Sequence, residues 1–552
     1  MTDSKVNYEQ IYKNFKWDIP EQFNFGFDII DKWAGRRNKL ALVSIDGSGD
    51  HAAKHTFKEL SLLSSKFANV LKKQGIKKGD RVLVMLPQIP EWYIVVLGSI
   101  KLGAIFMPTP TLSTPEDIEY RIKMSEATAA ITGSEFATRF ESVKHHCPSL
   151  RSLILIDGNE HGWLNYQSEM LAASAAFERP KIMSTDPMLI FFTSGTTGHP
   201  KMVLHAHSYA LAHLVTAKYI HNLQSADLHW TIADTGWAKT AWGRLFGQWI
   251  LGAAVVQYDV RGKFEPRTAL QALERYGVTT FCAPPTIYRM FLLENLKDYK
   301  LSKLRHCVSA GEALGAETIR DWKLATGLEI YDCYGQTESV CLIGNYKFMP
   351  VKIGAMGKPT PGHIVSVVDD EGNELSPGNP GNIAVKIKPD YPPGLLREYW
   401  RNPGEMSRAF RGEWYYTGDL AYKDNDGYLW FVGRGDDVIK SSGYRIGPVE
   451  VESVLEKHPA VAESAVIGAP DKVRGQIVKA FIVLAPGYKS SSELTEELQE
   501  LVKQHTAPYK YPREVEYLSE LPKTVSGKIL RSKLREQEIR KKQLNEALTT
   551  EH

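Results

Sequence analysis

Short apolar runs alternate with longer, mixed segments through the first 310 residues of the chain. Residues 81–86 (Arg-Val-Leu-Val-Met-Leu) form an apolar run of strand length, 91–102 have the length and pattern of a helix, and 104–107 are apolar again. The same rhythm predicts strands at 128–132, 153–156, 188–192, 252–258, 279–283 and 306–310. Strands without polar alternation are buried on both faces, and helical segments between them are the pattern of parallel sheets covered by helices. The predicted fold class is therefore α/β.

The pattern changes twice. Residues 351–431 are rich in Gly and Pro and read as a β-rich subdomain. Beyond Arg434 comes a helix over 448–458 with Pro448 in its first turn, strands over 461–467 and 477–484, and a helix over 493–505. About 115 residues of this kind suit a small α+β domain. The last 20 residues, dense in Lys, Arg, Glu and Gln, read as a solvated helix or a frayed tail. The expected organisation is a large domain over 1–434, a linker over 435–440 and a small domain over 441–552.

Composition narrows the function classes. The 552 residues carry 67 Lys plus Arg against 64 Asp plus Glu, a net charge of +3, which excludes nucleic-acid binding by bulk charge. The five cysteines (Cys147, Cys282, Cys307, Cys333, Cys341) show no CxxC spacing, so neither a disulfide framework nor a zinc ribbon is expected. The first 22 residues have no apolar core and carry acidic residues, unlike a secretory or transit peptide. The most apolar stretch, 93–108, is interrupted by Lys101 and is too short to span a bilayer. These features predict a soluble, cytoplasmic protein without integral membrane association. Self-association into a homo-oligomer stays open.

Five runs carry candidate chemistry. Behind the strand at 188–192 stand Thr193, Ser194, Gly195, Thr196, Thr197, Gly198, His199, Pro200 and Lys201. Two glycines permit close backbone approach, four hydroxyls offer hydrogen bonds and Lys201 adds a point charge, which is the chemistry of a phosphate cradle. The spacing is not that of a Walker A loop. The second run is Asp332, Cys333, Tyr334, Gly335, Gln336, Thr337 and Glu338, where an acid beside hydroxyls suits a magnesium ion bridging nucleotide phosphates; a Tyr-Gly turn before a polar helix start explains it equally well. Asp419, in Tyr416-Thr-Gly-Asp419, suits two ribose hydroxyls or a simple turn. Glycines 433, 435, 443 and 447 mark a close-approach segment at the domain boundary, and Lys528 follows a Ser-Gly pair on a loop.

Together, in order and spacing, the five runs resemble the ATP-dependent, AMP-forming acyl-activating superfamily of acyl-CoA synthetases, adenylation domains and luciferases, over roughly residues 35 to 540. Asp234-Thr-Gly-Trp237, Tyr444-Arg-Ile-Gly-Pro-Val-Glu450 and Thr506-Ala-Pro-Tyr-Lys-Tyr-Pro-Arg513 are most similar to the medium-chain acyl-CoA synthetases. The resemblance implies the acyl-adenylate-forming fold: stacked sheets with flanking helices, a β-rich subdomain and a small, hinged C-terminal domain. It implies that 193–201 wrap the triphosphate, that 332–337 line adenine and α-phosphate, and that Glu338, with Thr196, ligates magnesium. Asp419 would bind ribose, with Arg434 and Arg445 near the nucleotide. Asp436 would be the hinge, and Lys528 would orient carboxylate and α-phosphate during adenylation, with Thr337 and Glu338 as its catalytic companions. Ser442, Gly443 and Tyr444 would help form the pantetheine tunnel, while Arg474, Lys503, Tyr511, Pro512 and Arg513 would contact CoA.

The implied activity is a carboxylate–CoA ligase that uses ATP, Mg2+ and coenzyme A on a small carboxylic acid. An aryl-acid or carrier-protein-loading adenylating enzyme is the alternative on the same fold, and a non-catalytic nucleotide-binding protein is the alternative from another class. Gly311, Gly335, Trp237, Lys239 and Trp242 are the expected acyl-binding set. Acetate-restricted relatives carry Trp at the position of Gly335, so a glycine there is expected to let the pocket continue, with Lys239 and Trp242, three apart on one helix face, forming its far wall. Short- to medium-chain or branched acids are the expected substrates.

Overall fold

The apolar runs fold where their length and flanks predict, with ends shifted by at most four residues. The computed structural model describes residues 7–193, 200–311, 314–441, 444–471, 474–523 and 528–550. The chain divides into two compact units, one of residues up to Ile364 with Ile387–Arg408, the other of Val365–Lys386 with the residues from Ala409 onward.

The first unit holds two sheets. One has nine strands, ordered Lys358–Pro359, Cys341–Gly344, Ile330–Gly335, His306–Ala310, Thr280–Ala283, Leu228–Thr231, Ala254–Tyr258, Leu40–Ile45 and Ala52–Thr56. Its six central strands, from Ile330–Gly335 to Leu40–Ile45, are parallel, and antiparallel strands close both edges. The other has eight strands, parallel from Pro187–Thr193 through Ile105–Pro108, Arg81–Met85, Ala129–Thr132 and Ser152–Leu155 to Leu164–Asn165. At its opposite edge Lys201–Ala206 folds back antiparallel on Pro187–Thr193, and Glu398–Tyr399 pairs beyond it. The helix Pro90–Leu102 is buried on nearly every side. Lys101, which breaks the apolar run in the sequence, is fully buried there and is satisfied by Asp31 Oδ1 at 2.8 Å and Ser65 Oγ at 2.9 Å, as a buried ammonium requires.

The second unit also has two sheets. Val365–Val368, Gly381–Lys386, Phe410–Arg411, Trp414–Lys423 and Leu429–Arg434 form an antiparallel one. Val461–Asp471 and Gly475–Leu484 form a long hairpin that anchors the other, with Ile439–Ser441, Tyr444–Ile446 and, in parallel, Glu514–Tyr517. The helices Pro448–Leu455, Ser492–His505 and Arg531–Thr550 complete it. Arg531–Thr550 is the helix among the two expectations for this tail, and its described residues are mostly exposed, but one face is docked rather than solvated. Its Leu534 is 1% exposed, and its Glu538, also buried, receives Lys479 Nζ at 2.7 Å. Lys479 is likewise buried and also meets Glu516 at 2.9 Å and Glu514 at 3.4 Å. The charges that made this segment look solvated are what dock it.

Seven buried histidines sit in the first unit. Burial holds His205 and His229 down to about 3 and His207, His306 and His363 to about 4, with His213 and His221 also well below the ordinary range. Each is neutral in the fold and takes up a proton near pH 6.5 once unfolded. The unfolded chain therefore binds more protons below pH 6.5, and stability present above that pH is lost as pH falls toward the folded values, by up to about 1.4 kcal/mol per pH unit per group. Asp234 and Asp332, raised by burial, oppose this but are outnumbered. The thermal midpoint is expected to fall steadily between pH 7 and pH 5; calorimetry showing a flat midpoint over that range would contradict the assignment.

Candidate active site

The parallel strands of the nine-stranded sheet end at Thr231, Ala283, Ala310 and Gly335, and open α/β sheets bind ligands beyond such ends. After Thr231 the chain runs through Asp234-Thr-Gly-Trp237 into the helix Ala238–Arg244. Thr235 Oγ1 donates to Leu86 O at 2.7 Å, and a Cβ on Gly236 would stand 2.2 Å from Pro110 N, so this turn is stitched to loops at the ends of the other sheet's strands. Asp234 accepts from the Gly236 N–H at 2.8 Å.

Lys239 and Trp242 do share a face of that helix. Lys239 Nζ donates to Ala310 O at 2.9 Å, beside Gly311, whose φ of +103° favours glycine and whose Cβ direction is open. Trp242, 7% exposed, lies against Gly335. The space at Gly335 is not open: a Cβ there would be 2.6 Å from Trp242 Cη2 and 2.5 Å from Val340 O. This corrects the expectation that the pocket continues past Gly335, because the missing side chain is replaced by the indole of Trp242. Trp237 is half-buried at the start of the helix.

The 332–338 run lies along the strand Ile330–Gly335 and the turn after it. Burial raises the Asp332 carboxyl well above the usual range, against a backbone N–H bond and the nearby Lys239 charge. Cys333 faces the core, its Sγ 3.5 Å from Cys341 Sγ, so its contribution to the run is backbone. The Gln336 N–H donates to Ser339 Oγ at 3.1 Å. Two residues of the eight-stranded sheet hold the end of the run. His205 Nε2 lies 2.8 Å from Thr337 O; a carbonyl only accepts, so Nε2 carries the proton. Tyr399 Oη donates to Glu338 Oε1 at 3.1 Å, and the Leu396 N–H donates to Glu338 O at 2.8 Å.

Thr193 and Lys201, the two ends of the 193–201 run, pair across the antiparallel strands Pro187–Thr193 and Lys201–Ala206. Lys201 Nζ is bound to Glu405 Oε2 at 2.5 Å and sits 5.6 Å from the Tyr399 ring centroid. Pro200 is half-buried. Ser194, Gly195, Thr196, Thr197, Gly198 and His199 lie outside the described residues, as do Ser442 and Gly443 and the side chains of Tyr444 and Arg445.

Within the second unit, buried Asp419 pairs across strands with exposed Arg434, Oδ1 to Nε 4.0 Å. Asp436 and Lys528 are exposed. Lys503 and Arg513 flank the Tyr511 ring, 4.7 and 4.9 Å from its centroid, and Arg513 Nη1 donates to Tyr511 Oη at 2.9 Å. Pro512 between them is buried. Arg474 belongs to a separate turn, where its N–H donates to Asp471 Oδ1 at 2.7 Å.

Residues 30–400 match the model of the AMP-binding enzyme, and residues 450–528 match that of the AMP-binding enzyme C-terminal domain. The chain belongs to the AMP-binding enzyme family. It is 46% identical over 543 residues to the mitochondrial acyl-coenzyme A synthetase ACSM3 of Mus musculus, covering 96% of this chain and 93% of that protein. It is 46% identical over 534 residues to the mitochondrial ACSM5 of Rattus norvegicus, covering 95% and 92%. Among solved structures it is similar to the anthranilate CoA ligase AuaEII in complex with anthranoyl-AMP (34% identity, TM-score 0.86, covering 94% and 98%) and to an acyl-CoA synthetase of Brucella canis (33%, TM-score 0.75, 97% and 99%).

In this AMP-binding enzyme, sequence reasoning missed His205, Tyr399 and Glu405. His205 had a signal: it lies four residues after Lys201 on one strand, hence on the same face. Tyr399 and Glu405 had none, since Tyr399 reaches Glu338 from 61 residues away and Glu405 reaches Lys201 from 204 residues away. Gly335→Ala is expected to destabilise the AMP-binding enzyme by roughly 1–3 kcal/mol through overpacking, because Val340 O is backbone and cannot yield. An unchanged thermal midpoint would show that the contact relaxes freely.

Proposed function

We propose that this AMP-binding enzyme is an ATP-dependent carboxylate–CoA ligase that makes acyl-CoA, AMP and pyrophosphate through an acyl-adenylate. What carries the reading is the double hold on the Thr337-Glu338 end of the nucleotide run, by His205 and Tyr399, in a chain that matches both modules of the family. The acid's carboxylate attacks the α-phosphorus of ATP and pyrophosphate leaves. The CoA thiol then attacks the acyl carbon and AMP leaves. Two anions meet in the first step, so positive charge and N–H groups aimed at the α-phosphate lower its barrier.

We assign the first step to Lys528, with residues 193–201 on the triphosphate, 332–337 on adenine and α-phosphate, and Asp419, Arg434 and Arg445 on the ribose side. Among the described residues no three carboxylates, histidines or cysteines gather as a metal cage. Half-buried Glu338, oriented by Tyr399, suits a magnesium ion that arrives with the nucleotide and takes one or two protein oxygens, Thr196 being the other. That ion would supply neutralisation of phosphate charge. Asp436 is the proposed hinge, Ser442, Gly443 and Tyr444 the pantetheine lining, and Arg474, Lys503 and Arg513 the CoA phosphate contacts. The Lys503–Tyr511–Arg513 stack supports the last, since it concentrates two cations on one surface.

The proposed acids are short- to medium-chain or branched, bounded by Trp242. A cytoplasmic site of action rests on five unpaired cysteines, which suit a reducing compartment; the relatives named above are mitochondrial, so cell fractionation decides. No helix among the described residues is long and apolar enough to cross a membrane.

Lys528→Ala is expected to reduce acid-dependent pyrophosphate exchange by several orders of magnitude while sparing CoA attack on synthetic acyl-adenylate; equal loss in both assays would refute the assignment. A pyrophosphate-release screen over acid length should show a rise of a few-fold per methylene, in line with about 0.8 kcal/mol buried per CH2, then a sharp fall. Trp242→Gly should move that fall to longer acids. A preference for anthranilate- or benzoate-like acids in the same screen would favour the aryl-acid alternative.

A further inference from the structure

The segment just past Asp436 is tied to the helix that follows Lys528 by a cluster of buried and half-buried charges. Asp437 Oδ1 accepts from Arg535 Nη1 at 2.5 Å, and Asp437 Oδ2 lies 4.0 Å from Arg531 Nη1. Arg531 forks onto Glu452, with Nη2 2.6 Å from Oε2 and Nε 3.1 Å from Oε1. Glu452 is 6% exposed, and its Oε1 also accepts from the Val466 N–H at 2.7 Å, which roots the cluster in the central hairpin of the C-terminal sheet. Bidentate arginine–carboxylate pairs fix geometry as well as charge.

On the other side of Asp436 the chain belongs to a different sheet. Arg434 pairs with Asp419, and the Gly435 N–H donates to Gly418 O at 2.8 Å. Among the described residues, the backbone hydrogen bonds that cross Asp436 locally run from the N–H groups of Asp437 and Val438 to Arg434 O (2.9 and 3.1 Å). A rotation at this residue would exchange those bonds, together with the packing of Gly447 and Pro448 against Val432 and Gly433. The cluster contains no residue before Asp437, so such a rotation leaves it intact.

Lys528 is joined to the same body by short links. Ile529 bridges Lys523, the Leu530 N–H donates to Pro522 O at 2.8 Å, and Leu534 packs with Ala465, Ile467 and Phe481. Arg531 lies three positions after Lys528, with only Ile529 and Leu530 between them.

We propose that Asp437, Arg535 and Arg531 are positioning residues for the first half-reaction: they lock the first residue beyond the pivot to the helix Arg531–Thr550, so that rotation at Asp436 carries Lys528 as one rigid body. This rests on the ligase reading above. Without the lock the pivot turns but its rotation is not delivered to Lys528 in register, and misplacement of a reacting group by about 1 Å costs on the order of 100-fold in rate.

The test uses full-length Arg535→Gln, Asp437→Asn and their double variant, with Arg535→Lys as the conservative control. Each single variant is expected to lower kcat for acid-dependent pyrophosphate exchange roughly 10–100-fold, with KM for ATP and the rate of CoA attack on synthetic acyl-adenylate each within about threefold of wild type. The double variant should be no worse than the worse single one, since both remove one shared interaction, and Arg535→Lys should recover part of the rate. A thermal midpoint within a few degrees of wild type separates this from unfolding. Should the Gln and Asn variants unfold, Arg535→Lys alone decides: selective loss of exchange supports the lock, and equal or no loss overturns it. Additive losses, or equal losses in both half-reactions by folded variants, overturn the inference while leaving the ligase reading standing. A wild-type enzyme that exchanges pyrophosphate with no acid overturns the ligase reading and this inference with it.

Discussion

A hydrogen bond from a buried, neutral imidazole is central among those that join the two sheets of the first unit at the candidate active site. His205 stands on a strand of the eight-stranded sheet, stacks on Tyr209 with ring centroids 3.8 Å apart, and donates to the carbonyl of Thr337, which follows a strand of the nine-stranded sheet. A charged imidazole in that position would be desolvated without a counter-ion, and burial keeps the ring neutral down to about pH 3. The bond therefore persists at physiological pH. It fixes the last residues of the 332–338 run at the junction from which Tyr399 also reaches Glu338. The site is an assembly of two sheet edges, and its geometry depends on how those edges meet.

Small residues let the edges meet closely. Gly236 abuts Pro110, and Gly335 abuts Trp242 and Val340. At neither place does φ demand glycine; the demand is for space. The same contacts bring Lys239 and Trp242 to the ends of two adjacent strands, Lys239 on the carbonyl of Ala310 and Trp242 on Gly335. One helix of seven residues thus places both a cation and a flat apolar ring at those strand ends, which is why the proposed acid selectivity rests on Trp242 rather than on an empty space beside Gly335.

The second unit is held differently. Its C-terminal sheet has an apolar core around Ile439, Val451, Leu455 and Leu498, yet its last helix is docked largely through charge: Lys479 on Glu538 and Glu516, Arg531 on Glu452, and Arg535 on Asp437. Each buried charge has an opposite partner, so desolvation is offset inside the cluster. Directional ion pairs specify one register of the helix on the sheet.

The sequence by itself determined the α/β class, most of the central strands, the β-rich subdomain, the α+β C-terminal part and the five chemical runs. Strand length, apolar periodicity and turn residues are local properties, and the motif residues are contiguous. Lys239 and Trp242 were legible as one helix face for the same reason. What only the tertiary structure decided was long-range: that Trp242 fills the space beside Gly335, that Cys333 turns to Cys341 in the core, that Glu405 binds Lys201, and that His205 and Tyr399 hold Thr337 and Glu338. The docked face of the charged tail was not legible because composition reports how polar a segment is, not which partners wait for it. Lys479 and Glu452 lie 59 and 79 residues from the helix side chains they bind, and no local pattern encodes a pairing set by how a hairpin and a helix pack.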